Sequence, residues 1–461
     1  MTILLDDSPT KRRRFGWGRH LERLLWAMVA VAIVGIGVDR FTASDESTPS
    51  GAATGAGAGP AARTLAETAG ELELATQRDP GDATAWQELT QVYVQRAAQT
   101  LDPSFYGRAT AAADRASALA PDAPATLAAK AALAASLHHF SDAAALAQRA
   151  VDADGYHSGA LAVLVDAQVE QGRYDDAART LQTFANRKPG APVLSRVSYL
   201  RELHGDITGA RSAMAEARQA VAGAGAFQQA TLAAYDGDLL WGQGDREAAA
   251  VAYLDALALE PRHPIATVGH ARVLAADGRP DEAIEFLAEF VERTPVPAAA
   301  TLLGELQEST GDSAAAAGSF DLVRALARLQ ADAGVDVDLD LALFEADHSP
   351  STPELVARAR QAVVDRPTVY GADALAWTLY RAGDIGGART SLDAALRLGT
   401  VDPLLHFHAA AILDAAGDPV AARDHLDQVV ARNPWFSVGL QPEARALASR
   451  LGVTWPAGAG S

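Results

Sequence analysis

The 461-residue chain has no cysteine. That excludes a disulfide framework, a thiolate metal site, a cysteine nucleophile and an acylated lipobox cysteine, so the fold is held by packing alone. Lysine is nearly missing: of 39 basic residues only Lys11, Lys130 and Lys188 are lysine. Aromatic residues make up 6% of the chain, so most of its apolar side chains are aliphatic. Basic charge is scarce and unevenly placed. Residues 1–40 carry seven basic and four acidic side chains, a net of +3, and the whole chain is at -19, which leaves -22 for the remainder. A body that acidic repels phosphate backbones, which argues against nucleic acid as a partner. No Gly-x-Ser-x-Gly elbow, Walker loop or dinucleotide fingerprint is present, and no strand-rich segment is left to house one. No enzyme activity and no cofactor are expected.

What the chain has is a recurrence. Gly172, Gly205, Gly244, Gly278, Gly311, Gly383 and Gly417 are each followed five residues later by alanine (Ala177, Ala210, Ala249, Ala283, Ala316, Ala388, Ala422). Nine residues after each glycine stands a bulky apolar residue: Leu181, Met214, Tyr253, Leu287, Phe320, Leu392 or Leu426. The steps are 33, 39, 34, 33, 72 and 34 residues, so a unit of about 34 residues repeats, with 72 equal to two units. Glycine supplies the φ > 0 of a turn between antiparallel helices, and the alanine sits where those helices approach most closely. Offsets +9 and +12 share one helical face and are apolar in every unit, and proline follows at +17 in four of them (Pro189, Pro261, Pro295, Pro434).

This pattern resembles the tetratricopeptide repeat family. Trp86, Leu89 and Tyr93 match its first-helix signature; after an insertion of about seven residues, Ala109, Ala113, Ala116 and Pro121 match its second. A second unit runs through Leu127, Phe140, Ala143, Ala147 and Ala150, and a degenerate one through Leu341, Phe344, Leu355, Ala359 and Pro367. The expected fold is all-α, a right-handed superhelical solenoid of about ten helix-turn-helix units over 64–451, closed by a polar-faced capping helix from Pro442 to Leu451. Residues 452–461 are expected to be a disordered tail. The arginine and alanine bias suggests a GC-rich bacterial genome, and the arrangement is similar to bacterial tetratricopeptide proteins with an N-terminal membrane anchor.

Ahead of the repeats, a basic stretch (1–20) leads into Leu24–Val38, fifteen uncharged residues within an expected transmembrane or signal-anchor helix at 21–41. As a helix the uncharged run spans roughly 22 Å, short of a bilayer core of roughly 30 Å. Trp17, Trp26 and Phe41 at the interfaces, with Arg23 and Arg40 snorkelling, extend that span. Three readings compete: a cleaved signal peptide, with Ala56-Gly57-Ala58 as the better cleavage site; a buried soluble helix; and an uncleaved single-pass anchor, which fits best. A Gly/Ala/Ser/Pro-rich linker follows at 42–63. The N-terminus is expected in the cytoplasm and the repeats outside it, at the cell membrane or, after cleavage, secreted.

The resemblance also says where partners bind. In this family the concave groove is lined by particular first-helix positions, each at a fixed distance before the turn glycine. In this chain those positions include Tyr199, Glu202, Asp238, Trp241, Arg272, Tyr370, Asp373, Trp377, Tyr380, Arg381, Phe407 and Asp414. The helix before Gly383 offers three aromatics, an Asp and an Arg on one strip, suited to anchoring a peptide. The same spacing equally suits inter-repeat core, and the two arginines equally suit pairing with nearby carboxylates. The acidic stretch Asp336–Asp347 lacks the glycine and the final Glu of a calcium loop, and His138-His139 and His406-x-His408 lack the i, i+4 spacing of a helical zinc site. No metal is expected. Two functions follow: a membrane-anchored extracytoplasmic scaffold for protein partners in an assembly, secretion or envelope complex, or an accessory protein that captures a peptide or small ligand for a transport system.

Overall fold

The computed structural model describes residues 64–456, and these contain twenty-two α-helices and no strand. Helix α1 (Leu65–Arg78) precedes ten antiparallel pairs, one per repeat unit. The first five are α2 (Ala83–Thr100) with α3 (Ser104–Leu119), α4 (Pro124–Ser136) with α5 (Phe140–Ala153), α6 (Ser158–Glu170) with α7 (Tyr174–Arg187), α8 (Ala191–Leu203) with α9 (Ile207–Ala220), and α10 (Ala226–Trp241) with α11 (Arg246–Leu259). The second five are α12 (Pro264–Ala276) with α13 (Pro280–Arg293), α14 (Pro297–Ser309) with α15 (Ser313–Asp332), α16 (Asp338–His348) with α17 (Pro353–Asp365), α18 (Val369–Arg381) with α19 (Ile385–Ala395), and α20 (Pro403–Ala415) with α21 (Pro419–Arg432). Helix α22 (Gln441–Leu451) closes the array. The expected anchor at 21–41 and linker at 42–63 lie outside the described residues, and no described helix is long and apolar enough to cross a membrane.

The glycine ruler is built as its spacing implies. All seven turn glycines have positive φ, from 65° at Gly172 to 91° at Gly311. Their partner alanines are buried, six of them completely, and the bulky residues at +9 are buried with them. The largest knobs need holes. The Tyr253 ring lies where Gly237 and Gly269 have no Cβ, and Phe320 likewise lies against Gly304. The 39-residue step before Gly244 comes from a sixteen-residue α10 and the Val221–Gly225 connection, and the extra residues of the first unit lengthen α2 to eighteen.

An open solenoid has contacts only between neighbouring units. This one also closes on itself. His138 Nδ1 donates to the Asp336 carbonyl at 2.7 Å across 198 residues, and the Tyr174 hydroxyl accepts from Val369 N at 2.9 Å across 195. Thr400 Oγ1 donates to the Leu203 carbonyl at 2.6 Å across 197, and Asn433 Nδ2 donates to the Trp241 carbonyl at 2.9 Å across 192. Arg366 and Glu170, both buried, pair at 2.9 Å across 196 residues, with the guanidinium 5.3 Å above the Phe140 ring. The offset is nearly constant because turns of units 2 to 5 lie against the connections that follow units 7 to 10. At this seam three turn glycines have a second role. A Cβ on Gly172 would overlap the Pro367 carbonyl, one on Gly244 the Arg432 carbonyl, and one on Gly205 would lie 2.8 Å from the Gly399 oxygen. Gly311, Gly383 and Gly417 face open space.

Burial of histidine makes the assembly acid-sensitive. Burial, aided by the Arg366 cation, lowers the His138 pKa to about 3; burial alone lowers His263 to about 4; burial and then His425 push His406 well below its ordinary value. Each is neutral when folded and titrates near 6.5 when unfolded, so unfolding takes up protons below that pH. Their contribution is complete above pH 6.5 and is lost as pH falls toward 4. The slope is up to about 1.4 kcal/mol per pH unit for each group. Asp340, its carboxyl raised by burial to about 7, and Asp166, also raised by burial, act in the opposite sense over this range. Urea titrations at pH 7, 6, 5 and 4 are expected to show a falling midpoint only because the three histidines outweigh them; an unchanged midpoint from pH 6.5 to 4.5 contradicts that balance.

Candidate concave recognition surface

The twelve residues assigned to a peptide groove all lie on first helices, but most have no surface to offer; Glu202 is buried and Asp414 half-buried. Trp377 and Phe407 are 0% exposed, and Asp238, Trp241, Tyr370 and Asp373 are also buried. Tyr199, Arg272, Tyr380 and Arg381 are half-buried. The reason is neighbouring structure on both sides. His408 of α20 stacks on Trp377 with centroids 3.9 Å apart, and its Nδ1 lies 3.0 Å from Asp373 Oδ2. Trp377 Nε1 donates to Asp347 Oδ1 of α16 at 2.7 Å, and Arg381 donates to the same oxygen at 3.1 Å. Asp238 accepts from the Tyr253 hydroxyl at 2.5 Å, and Trp241 packs with Tyr253 and Ala256. For Asp238, Trp241, Tyr370, Asp373, Trp377 and Phe407 the inter-repeat core role therefore replaces the groove-lining role. Trp377 is sandwiched between the neighbouring first helices α16 and α20, and Asp238 and Trp241 pack on the second helix of their own unit.

The rest of the strip is occupied by the chain itself. After α21 the backbone crosses the first helices. Trp435 packs beside Trp241 with the Arg246 guanidinium 4.2 Å above its ring. Phe436 meets Phe407 at 5.3 Å between centroids. Val438 packs against the cluster of Leu302, Leu303 and Leu306, and Gly439 N donates to Glu305 of α14 at 3.4 Å. Leu440, Ala444, Leu447 and Ala448 then join Trp377, Phe407, Leu339 and Leu343 in one cluster. Charge pairs fix the helix: Glu443 with Arg381 at 3.1 Å, and Arg450 with Asp414 at 2.7 Å. Arg381 thus pairs with two carboxylates, the arrangement that competed with ligand contact. Trp241, Trp377, Tyr380, Arg381, Phe407 and Asp414 face the chain's own C-terminal segment, residues 433–453. Sequence reading treated this end as a polar-faced cap. The run Trp435-Phe436-x-Val438-x-Leu440, apolar after the last helix-stopping proline, was the signal that it fills a groove.

Among the described residues no group of three His, Cys, Asp or Glu side chains is placed to hold a metal ion. Asp336–Asp347 is a helix start and its helix, with Asp340 3.6 Å from Arg366. His406 Nδ1 faces His425 Nδ1 at 2.5 Å, stacked at 4.6 Å between centroids.

Two tetratricopeptide repeat family models match the chain, one over residues 236–296 and 374–435, the other over 134–197. No curated protein sequence matches. Among solved structures, the human IFIT1 dimer with m7Gppp-AAAA is similar at 13% identity, covering 72% of this chain and 76% of that one, with a TM-score of 0.47. Pseudomonas aeruginosa pilF is similar at 16% identity, covering 48% and 94%, with a TM-score of 0.35. A tetratricopeptide repeat protein from Parabacteroides merdae is similar at 16% identity, covering 56% and 98%, with a TM-score of 0.31. The chain carries tetratricopeptide repeats, and its described residues form an all-helical solenoid of them.

Proposed function

We propose that the chain is a non-enzymatic, membrane-anchored scaffold that holds its repeats outside the cytoplasm and docks protein partners on the outward face of the solenoid. Tetratricopeptide repeats support a protein-interaction role, and the basic head, uncharged run and linker of residues 1–63 support the anchor. One observation carries the choice of face. The exposed large apolar residues among those described are Leu74 on α1, Leu119, Val251, Leu254, Leu259, Leu329, Val364 and Val420 on second helices, and Tyr156 in a connection; none is on a first helix. Helix α11 has the densest group. Val251 and Leu254 are 56% and 49% exposed and lie three residues apart on one helical face. Glu247, Asp255, Asp245 and Asp236 rim a hollow beside Val251, with Arg218 held at 2.6 Å from Asp236. An apolar centre with an acidic rim suits a partner carrying apolar side chains between basic ones.

Crosslinking of the full chain in its own cells tests this, with Val251→Asp/Leu254→Asp as the comparison. Both positions are exposed, so the change in stability is expected within about 0.5 kcal/mol, and recovery of the partner is expected to fall at least fivefold. Equal recovery by both proteins removes the face. Retention of the full-length chain in salt-washed membranes tests the anchor, and a mature N-terminus near residue 45 or 59 in the medium rejects it. The accessory ligand-binding reading is favoured by one separate feature, a cavity at the seam.

A further inference from the structure

Four turns along the seam are hydrogen-bonded to the connection opposite, whereas the first unit's turn meets it through Leu101, packed on the cluster of Val268 and Val296. This turn, Thr100–Pro103, faces the connections before α12 and α14 across a cavity of ≈ 560 Å³, within the roughly 300–1,000 Å³ of small-ligand sites. Leu101 in this turn has φ 58°, as His138 has 62° in the second unit's turn. The lengthened α2 carries the Leu101 turn.

The cavity has two chemistries. Leu101, Ile265, Val268, Val296, Leu326 and Leu329 supply aliphatic wall from four separate segments. Arg262, Arg272 and Arg293 also line it, with the acids Asp102 and Glu260 beside them, and Arg293 also pairs with Glu289 at 3.4 Å. Arg262 and Arg293 are exposed at the rim, and Arg272 is half-buried. Guanidinium groups at the edge of an aliphatic slot match a carboxylate attached to an alkyl chain. We propose that this cavity binds a single-chain aliphatic carboxylate of fatty-acid type, its chain along Leu101, Val268 and Leu329 and its carboxylate on the arginines. The site is independent of the α11 face, because no residue is shared.

The probe is dodecanoate carrying a diazirine, photolysed with the full chain and followed by peptide mapping. Label is expected on the peptides containing Leu101–Tyr106 and Leu326–Gln330, displaced by unlabelled dodecanoate and only at about tenfold or higher concentration by dodecanol. Arg272→Met is expected to remove that acid-over-alcohol preference. Leu329→Asp, at a position 52% exposed and so tolerated by the fold, is expected to abolish labelling. Label elsewhere only, equal displacement by the alcohol, or unchanged labelling of Leu329→Asp each overturns the proposal. Partner recovery by the Val251→Asp/Leu254→Asp protein is unaffected by any of these outcomes, so the two readings fail separately.

Discussion

Gly244→Ala is expected to destabilise the protein far more than Gly417→Ala, although both glycines hold the same place in the repeat. Both turns have positive φ, 74° and 81°, and for alanine that conformation costs roughly 1–2 kcal/mol. At Gly417 nothing else opposes the methyl group. At Gly244 it overlaps the Arg432 carbonyl, which adds roughly 1–3 kcal/mol of overpacking and pushes the seam apart beside the Asn433–Trp241 hydrogen bond. The expected losses are about 2–5 kcal/mol and about 1–2 kcal/mol. Urea midpoints of the two proteins, with Gly172→Ala and Gly383→Ala as a second pair, measure the difference. Equal losses at all four positions rule out a seam in solution.

Trp377→Ala is expected to be the most damaging change in the C-terminal repeats. The indole is wholly buried, stacked on His408 and Tyr380, and packed on Phe407. Truncation costs roughly 3–5 kcal/mol from cavity formation, and it also deprives the Asp347 carboxylate of a hydrogen bond. Trp377→Phe keeps an aromatic ring but loses the N–H donor, so about 1–2 kcal/mol is expected there. Amide exchange adds a directional readout: in Trp377→Ala, protection is expected to fall first in residues 436–448, which pack on the indole. Full protection of that segment in the variant contradicts the packing described. It follows that partner capture with Trp377→Ala reports folding, so the test of recognition belongs on the exposed pair Val251 and Leu254.

Local chemistry was legible in the sequence, and long-range pairing was not. Gly172 and Gly417 look identical because each must satisfy the same turn, and that requirement alone sets the spacing. Whether the missing Cβ is also needed by Pro367, five units further along the chain, leaves no local trace. The aromatic strip shows the same division. Counting back from Gly383 correctly placed Tyr370, Asp373, Trp377, Tyr380 and Arg381 along one helix, but a spacing rule is blind to what lies across from them. Asp347 and His408 belong to neighbouring units, and Glu443 to the terminal helix. The α11 face was overlooked because exposed Val251 and Leu254 fall within an otherwise ordinary second helix, where apolar residues are expected.

The near-constant sequence separation between partners along the seam has a consequence for how such a chain can change length. In an open array a unit is a removable module, and its loss shortens the rod. Here, deleting one repeat unit between Gly205 and Pro367 would bring every later connection one position short of its turn. Arg366 would no longer reach Glu170, nor Thr400 the Leu203 carbonyl. Such a deletion is penalised at every seam contact together, whereas units added beyond the ends escape the penalty. The repeat number of the interior is thereby a closed count, set by the circumference of the winding and not by the tally of duplications that produced it.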